Sequence, residues 1–318
     1  MTSDAAPALE IHELTDHRVP DPATLDAIQR VIDAATAADG VSPLDEAASL
    51  ALRTDGPAIR LLAARSGELA GYAQATPQES ARDVWTADVV VAPEHRRHGV
   101  GDALVRRLLA LVPGVVRLWA HGPHPAAAVL AERHGLAAVR ELWRMRRPLQ
   151  GQSAELPVSR APEGVTIRTF RPGLDDEGLI EVNAAAFADH PEQGEFGLAD
   201  LRVRMERPWF DPAGLFVAVD ASDRLIGFHW TKIHQPPVRG EDPTSPIGEI
   251  YVLGVDPRVD VRGLGTTLAI VGLRYLAARG LPAVMLYTEA NNERAVNLYR
   301  KLGFEHTDTD VMYVRRPR

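Results

Sequence analysis

The chain has 318 residues, a net charge of −8, 45% hydrophobic and 25% charged residues, and no cysteine. This length suits two domains of about 150 residues each, and the composition is that of a folded globular protein. The acidic balance argues against a general nucleic-acid binder, because phosphates need cations to neutralise them. Without cysteine, disulfides, thiol nucleophiles and zinc–thiolate sites are excluded.

No apolar run approaches the roughly 20 residues that a membrane span needs. The first ten residues, MTSDAAPALE, lack the basic and apolar regions of a secretory signal. We therefore expect a cytoplasmic protein with neither a membrane nor a nucleic acid as its partner.

The first predicted elements surround a glycine-containing loop. A β-branched run, Val89–Val91, leads into V-A-P, and G-V-G follows at Gly99–Gly101. Apolar residues at helical spacing come next, then a strand-like run, a short helix ending in glycine and a strand that runs into basic residues. In chain order these features are Leu104, Leu108 and Leu111, then Val115–Trp119, then Gly135, then Arg140–Arg147.

The same order of elements occurs a second time. Ile250–Val252 leads into V-D-P, and G-L-G follows at Gly263–Gly265 with the same spacing. The later features of this copy are Leu268, Val271 and Leu276, then Ala283–Tyr287, then Gly303, then Val311–Arg316. An internal repeat of this length indicates a duplicated domain.

The segment between the copies, residues 148–162, contains three prolines and reads as an exposed linker. We therefore expect domains at residues 1–147 and 163–318. The mixed order of strands and helices predicts an α/β or α+β fold for each. A proline-rich stretch, His234–Pro246, reads as a surface loop of the kind that often borders a site.

Each glycine loop joins a strand to a helix, which is an arrangement that binds anions. Backbone N–H groups and the helix N-terminus supply partial positive charge, and glycine allows a close approach to a phosphate. A dinucleotide-binding fingerprint would need a third glycine and a P-loop would need G-K-[ST], and both are absent. A plain structural turn remains the alternative for either loop alone.

The loops resemble the phosphate-binding motif [QR]-x-x-G-x-[GA] of the GNAT family of acyl-CoA-dependent N-acetyltransferases. Arg96–Gly101 matches this motif throughout, and Asp260–Gly265 departs from it at Asp260. Arg258 and Arg262 could meet the diphosphate charge in the second copy. The family's later signature, N-x-x-A-x-x-x-Y-x-x-x-G-F, matches Asn292–Phe304.

This resemblance implies two tandem GNAT domains, each a mixed, mostly antiparallel sheet flanked by helices, with acetyl-CoA as co-substrate and no metal. The first domain is expected to be catalytically degenerate and able to bind acetyl-CoA. The implied coenzyme contacts of the first copy are Val89, Val90, Val91, Arg97, His98, Gly99, Val100, Gly101 and Asp102. Those of the second copy are Leu253, Gly254, Val255, Asp260, Val261, Arg262, Gly263, Leu264, Gly265, Thr266, Asn292, Glu293, Arg294, Ala295, Val296 and Asn297.

Acetyl transfer needs a base for the attacking amine, a donor for the oxyanion and an acid for the leaving thiolate. Glu249 and Tyr299 are the candidate base and acid of the second copy, whereas Trp85 and Ala131 hold the equivalent positions of the first. Only the second domain is therefore predicted to be catalytic. Taken singly, Glu249 could be a strand-edge carboxylate and Tyr299 a core tyrosine.

Strand alternation places Glu249, Tyr251 and Leu253 on one face. Gly254 is the candidate for a bulge that exposes a backbone N–H.

Further stretches resemble the mycothiol synthases, a tandem-GNAT family of actinobacteria. They include Asp39–Glu46, Asn183–Gly194, Gly227–Lys232 and Gly248–Pro257. The resemblance implies acetylation of the cysteinyl amine of cysteinyl-glucosaminyl-inositol, bound between the domains. The implied substrate contacts are Glu46, Glu192, Lys232, Glu249 and Tyr287.

Without the resemblance, Glu46 is better explained as a helix-start residue, and Tyr287 as a core aromatic. Lys232 is expected to share a strand face with Phe228 and Trp230, which would suit a sugar.

Other interpretations stay open. His121, His124 and His134 lie close in sequence, but their spacing matches no closed metal site, and we expect no metal. A different acceptor, such as an aminoglycoside or a protein N-terminus, would use the same chemistry. A non-catalytic acyl-CoA-binding regulator is a third possibility. We expect a monomer, because a tandem repeat supplies its own second domain.

Overall fold

The computed structural model describes residues 8–14, 17–78, 83–122, 124–151, 155–188, 196–236, 238, 240–242 and 244–315, without the side chain of Glu46. The chain forms two compact units. The first unit is Met1–Leu142 with Asp308–Arg318, and the second unit is Trp143–Thr307. In the part of the chain that the structure describes, no helix combines the length and apolar character needed to cross a bilayer.

The first unit is a mixed sheet flanked by helices. Its strands follow the order β1-β2-β3-β4-β5 and then the end of β12. β4 and β5 pair in parallel, and the neighbouring pairs β1–β2, β2–β3, β3–β4 and β5–β12 are antiparallel. The elements are β1 (Leu9–Leu14), α1 (Pro22–Asp39), α2 (Glu46–Leu52), β2 (Ile59–Arg65), β3 (Glu68–Pro77), β4 (Val84–Val91), α3 (Val100–Leu111), β5 (Val115–Ala120), α4 (Pro125–Arg133), the start of β6 (Leu136–Pro148) and the end of β12 (Glu305–Arg315).

The second unit repeats this architecture. Its strands follow the order β7-β8-β9-β10-β11 and then β6, and β10 and β11 form the parallel pair. The elements are β7 (Thr166–Thr169), α5 (Asp176–Ala186), α6 (Leu198–Met205), β8 (Leu215–Val219), β9 (Leu225–His234), β10 (Ile247–Val255), α7 (Leu264–Ala278), β11 (Ala283–Glu289) and α8 (Glu293–Lys301). The predicted fold of each unit, mixed and mostly antiparallel strands flanked by helices, is confirmed.

Two strands are divided between the units. β6 begins in the first unit and ends in the second, and β12 begins in the second and ends in the first. Val311 of β12 is therefore the partner of Ala120 of β5. Each unit thus contains a strand segment from the other half of the sequence, a feature that the repeat pattern does not signal.

The sheet of the second unit has two differently built faces. On one face, which we call the α7 face, Ala269, Leu273 and Leu276 recur at helical spacing and pack on Ile250 and Leu286. On the other, the α5 face, Leu179 and Val182 of α5 pack with Phe228, Trp230 and Tyr251. Glycines in the left-handed conformation follow α4 and α8, at Gly135 (φ 68°) and Gly303 (φ 81°), as predicted.

Candidate active site

The parallel pair of the second unit separates along its length. β10 and β11 are paired only from Gly248–Val284 to Ile250–Leu286, although both strands continue further. A bulge between Ile250 and Val252 of β10 accompanies this separation, with Tyr251 as the extra residue. Backbone N–H groups of β10 beyond the bulge therefore border an opening between the strands. We call it the strand opening.

The bulge expected at Gly254 was wrong in position. Gly254 stays in register with Phe228 of β9. A Cβ atom at Gly254 would lie 2.7 Å from Cε1 of the Phe228 ring, so close packing, and not a bulge, requires glycine there.

The bulge also changes which residues share a face. Tyr251 and Val252 both pack in the α5-face cluster, whereas Leu253 packs with residues of the α7 face. The expected alternation of Glu249, Tyr251 and Leu253 is therefore wrong at Leu253, because an inserted residue shifts the period of two by one.

Glu249 lies on the α5 face. It stands directly opposite Lys232 of β9 and Met285 of β11, and residues opposite each other in a ladder point to the same side. Glu249 is 7% exposed and Lys232 is 9% exposed. The ammonium of Lys232 lies 4.8 Å from the ring centre of Trp209 and 5.4 Å from that of Tyr251. Phe228 and Trp230 belong to the same face, as predicted for Lys232.

A histidine that the sequence analysis missed contacts Glu249. Nε2 of His234, the last residue of β9, lies 2.6 Å from Oε2 of Glu249. His234 follows Lys232 by two positions on its strand, so the period of a strand places both on one face. That period was the available signal.

Tyr299 lies on the opposite face. It is 7% exposed and packs with Ile250 and Leu286, the last paired residues before the strand opening. Its ring meets Phe304 edge to face, with centres 5.6 Å apart. Burial raises the pKa of the Tyr299 hydroxyl, so the phenol keeps its proton throughout the physiological range. Glu249 and Tyr299 thus approach the same end of the β10–β11 pair from two faces.

The glycine loop of the second unit has the chemistry that a diphosphate requires. Gly263 caps α7 in the left-handed conformation (φ 78°), and the first intrahelical bond is donated by Thr267 N to Gly263 O. The N–H groups of Leu264, Gly265 and Thr266 are then the orphan donors of the helix N-terminus. The donor set fits the diphosphate of acetyl-CoA.

The two arginines expected to meet the diphosphate charge beside this loop, Arg258 and Arg262, differ in whether carboxylates already neutralise them. The guanidinium of Arg258 bonds to Asp256 at 2.8 Å and to Glu181 at 2.9 Å, so two carboxylates already meet its charge. The expectation that Arg258 supplies charge to the loop is therefore not supported. Arg262 is exposed, and the structure records no ion pair for it among the residues it describes.

In the loop of the first unit, the residue at the motif's first position contacts its own unit. Arg96, the counterpart of Asp260, bonds to both carboxylate oxygens of Asp39 and to Val91 O. The first position thus holds the loop to its own unit. Gly99 caps α3 in the left-handed conformation (φ 83°), so the cradle itself is kept.

Asp102, in the first turn of α3, is already compensated by basic groups. Arg106 and His134 donate hydrogen bonds to it, and Arg133 lies 3.5 Å away. Although burial opposes the shift, these bonds lower the pKa of Asp102. The corresponding residue of the second unit is Thr266, so the two cradles differ in local charge.

The last predicted coenzyme segment forms the start of α8. Asn292 accepts a hydrogen bond from Ala295 N at 3.0 Å, which is the side-chain cap that the sequence also allowed. Val296 is 5% exposed and packs inward, whereas Glu293, Arg294 and Asn297 are exposed. Only the exposed residues and the backbone are therefore available to a ligand.

Two of the predicted substrate contacts fall outside the described residues, namely Glu192 and the side chain of Glu46, whose backbone starts α2. Tyr287 is 37% exposed and follows Met285 by two positions on β11, so it shares the α5 face with Glu249. Lys232, Glu249 and Tyr287 are thus brought to one face by three adjacent strands.

The first unit has no proton acceptor at the position of Glu249. The sequence spacing placed Trp85 there, but β4 lacks the bulge of β10, so the residue just before the last parallel pair, which matches Glu249, is Thr86. Trp85 packs on the core under α3, and Ala131 is buried. A different buried cluster, which the sequence analysis missed, lies past Ala87, the last residue of β4 that is paired with β5. His121 Nδ1 lies 3.2 Å from Asp310 and its Nε2 lies 3.9 Å from Asp88.

Burial raises the pKa of Asp88 to about 7, and the charge of Asp45 adds to this rise. The three neighbouring histidines have separate partners, since His124 lies 3.8 Å from Asp39 and His134 bonds to Asp102. Across the described ranges, no group of three or more His, Asp or Glu side chains could hold a metal ion.

The chain was compared with known proteins. The model of the acetyltransferase (GNAT) family matches residues 26–136 and 181–304, one match in each copy. The chain is 48% identical over 292 residues to a mycothiol acetyltransferase of Nocardia farcinica, covering 91% of this chain and 93% of that protein. It is 50% identical over 285 residues to one of Thermomonospora curvata, covering 90% and 91%.

Solved structures show the same architecture. A GCN5-related N-acetyltransferase from Sphaerobacter thermophilus superposes with a TM-score of 0.69 at 27% identity, covering 96% of each chain. A tandem GNAT protein from the clavulanic acid biosynthesis pathway reaches a TM-score of 0.70 at 18% identity, covering 98% of this chain and all of that one, which shows a shared fold. The chain belongs to the GNAT family of acetyltransferases and, within it, to the mycothiol acetyltransferases.

Proposed function

We propose that this chain transfers the acetyl group of acetyl-CoA to the cysteinyl amine of cysteinyl-glucosaminyl-inositol, the last step of mycothiol synthesis. The relatives named mycothiol acetyltransferase, about half identical over nine tenths of the chain, support the acceptor. One observation carries the chemistry: a buried carboxylate, Glu249, lies where β10 and β11 of the second unit separate.

Glu249 is proposed as the general base. A carboxylate oxygen takes a proton from the acceptor ammonium, and the freed electron pair of the amine attacks the thioester carbon. As the C–N bond forms, the carbonyl oxygen gains negative charge. Backbone N–H groups of β10 beyond Tyr251 face the strand opening and supply donors for that oxyanion.

Tyr299 is proposed as the general acid. Because burial raises the pKa of its hydroxyl, the phenol stays protonated and can give that proton to the departing thiolate. A thioester lying in the strand opening would have the carboxylate on one side of the sheet and the phenol on the other. Gly263–Thr266 would hold the diphosphate at the N-terminus of α7, with Arg262 beside it.

The acceptor site is proposed to include Lys232 and Tyr287 with Glu249, together with Glu192. The substrate is a polyol with one ammonium group, which suits carboxylates, a cation and aromatic rings. Trp209 and Tyr251 form an aromatic surface beside Lys232. We also propose that the chain acts as a cytoplasmic monomer, because the duplication supplies both units in one chain.

The first unit is proposed to bind acetyl-CoA without turning it over. It keeps the left-handed glycine and the helix N-terminus of the cradle. It has Thr86 where the second unit has its base, and Ala131 where the second unit has its acid.

One assay tests the function. The purified chain is incubated with acetyl-CoA and, separately, with cysteinyl-glucosaminyl-inositol, glucosaminyl-inositol without the cysteine, an aminoglycoside and an N-terminal peptide, and released CoA is measured. We expect CoA release with the cysteinyl compound and little with its cysteine-free counterpart. Faster release with the aminoglycoside or the peptide would reassign the acceptor. Binding of acetyl-CoA with no release in any arm would indicate a regulator.

A further inference from the structure

The contact between His234 and Glu249 is the shortest hydrogen bond that the carboxylate makes in the described part of the chain. His234 Nε2 lies 2.6 Å from Glu249 Oε2. An ionised carboxylate only accepts hydrogen bonds, so Nε2 carries the hydrogen and donates it. The β9–β10 ladder fixes the positions of His234 and Glu249, because His234 is opposite Ile247 and Glu249 is opposite Lys232.

The two members of the pair differ in exposure. The side chain of Glu249 is 10% exposed and that of His234 is 24% exposed. The imidazole therefore separates the carboxylate from solvent on one side and remains accessible to solvent protons itself. His234 is the last residue of β9, and the proline-rich segment that ends at Pro246 follows it directly. The residue that contacts the carboxylate of Glu249 therefore lies where the strand passes into that segment.

Other charged and titratable groups border the pair on each packed element. The neighbouring strands contribute Lys232 on β9, Tyr251 on β10 and Tyr287 on β11, and Arg204 of α6 donates to the hydroxyl of Tyr251. On β6, Arg144 donates to the sulfur of Met285, which is opposite Glu249, and forms an ion pair with Glu241 of the proline-rich segment. Histidine is the side chain whose charge ordinarily changes between pH 5 and 8.

We propose that His234 is the positioning residue of the base, and that its protonation switches the base off. This proposal rests on the proposed role of Glu249. The N–H of His234 occupies Oε2, which leaves Oε1 to take the proton from the acceptor ammonium. In that step the ammonium N–H bond breaks, its electron pair stays on nitrogen, and an O–H bond forms at Oε1.

Protonation of the imidazole changes the pair. An imidazolium beside a carboxylate stabilises the ionised form of the carboxylate, so Glu249 becomes a weaker proton acceptor. Turnover then falls as the pH drops through the titration of the pair, and the acidic limb of the pH–rate profile belongs to both residues together. A glutamine at residue 234 would still donate an N–H but would never carry charge.

The test compares the pH dependence of kcat/KM for the acceptor in the native chain, H234Q and H234A. For H234Q we expect the acidic limb to move down by about one pH unit or more, with turnover near native at pH 8. For H234A, which has no donor, we expect turnover at pH 8 to fall about 10-fold. The KM for acetyl-CoA and the melting temperature should stay close to native in both.

A matched control uses a histidine–glutamate pair far along the sequence. His12 lies 3.5 Å from Glu10 on β1 of the first unit, and H12Q should leave the pH profile unchanged. An acidic limb in H234Q that coincides with the native one would overturn the proposal, whatever the rate at pH 8. The E249Q variant distinguishes a failure of the proposed base from a failure of its positioning residue. Undiminished turnover in E249Q would exclude Glu249 as the base. Lost turnover in E249Q, together with an unchanged acidic limb in H234Q, would exclude only the role of His234.

Discussion

Lys232 and Glu249 stand directly opposite each other in the β9–β10 ladder, and both are more than nine tenths buried. Opposite charges at one cross-strand position attract each other. The aromatic rings of Trp209 and Tyr251 enclose the ammonium from the same face. The α5 face of the second unit therefore offers a carboxylate, a cation and an aromatic surface at the strand opening.

The first prediction concerns the base. E249Q keeps the size of the side chain and removes its ability to accept a proton, so kcat should fall about 10²–10⁴-fold. Steady-state kinetics at neutral pH measure this. Thr86 holds the equivalent position of the first unit, and T86V should leave the pH–rate profile unchanged. An altered profile in T86V would contradict a single catalytic unit.

The second prediction concerns the acid. Y299F keeps the ring that packs on Phe304 and removes the proton, so kcat should fall about 100-fold while the melting temperature changes little. Because burial raises the pKa of Tyr299, the native enzyme should show no loss of this proton below pH 10. Tyr275, which donates to Asp211 at 2.7 Å, provides a matched control in Y275F. Equal rates in native chain and Y299F would assign proton donation elsewhere.

The third prediction concerns Lys232. K232M keeps the length of the side chain and removes its charge, so the KM for the acceptor should rise about 10-fold, the value of one charged hydrogen bond. The KM for acetyl-CoA should not change. The chain has only one other lysine, Lys301, which is exposed on α8, and K301M is the control. A rise in both KM values would point to general loss of structure.

The fourth prediction concerns the two cradles. G265D and G101D each place a carboxylate in the first turn of α7 or α3, where it competes with a phosphate for the same N–H groups. Calorimetric titration should give two acetyl-CoA per native chain and one per variant. If the native chain binds one acetyl-CoA, and G265D abolishes this binding while G101D does not, the first unit does not bind the coenzyme.

The fifth prediction concerns stability. Burial raises the pKa of Asp88 to about 7, above the roughly 3.9 of an unfolded chain, so the folded first unit binds this proton more tightly. The stability that it contributes is complete below about pH 4 and is lost as the pH rises through about 7. Burial lowers the pKa of the neighbouring His121, but its bond to Asp310 and the nearby carboxylates raise it overall. The stability that His121 contributes is therefore complete below its unfolded pKa of about 6.5 and is lost as the pH rises above that value.

D88N removes the first contribution. The melting temperature of the native chain should therefore fall more between pH 5 and pH 8 than that of the variant. Thermal unfolding at the two pH values measures the difference. Titrating groups far from Asp88 cancel in it, whereas the loss of the Asp88 charge beside His121 adds to it in the same direction. Parallel pH dependence in the two proteins would show that Asp88 titrates normally.

The sequence alone determined the duplication, the two glycine loops and the difference between the copies at Glu249 and Tyr299. These are local features: residue type, spacing and the period of a strand or helix are written in consecutive residues. The shared face of Phe228, Trp230 and Lys232 followed from the same period and is confirmed.

Tertiary structure decided the rest, because it depends on which distant segments pair and in what register. The bulge at Tyr251 moved Leu253 to the other face, and no local pattern marks it. The partners of Glu249 and His121, namely His234 and Asp310, are set by ladders that join separate stretches of chain. The division of β6 and β12 between the units has the same origin, since strand pairing, and not chain order, decides where an edge is completed.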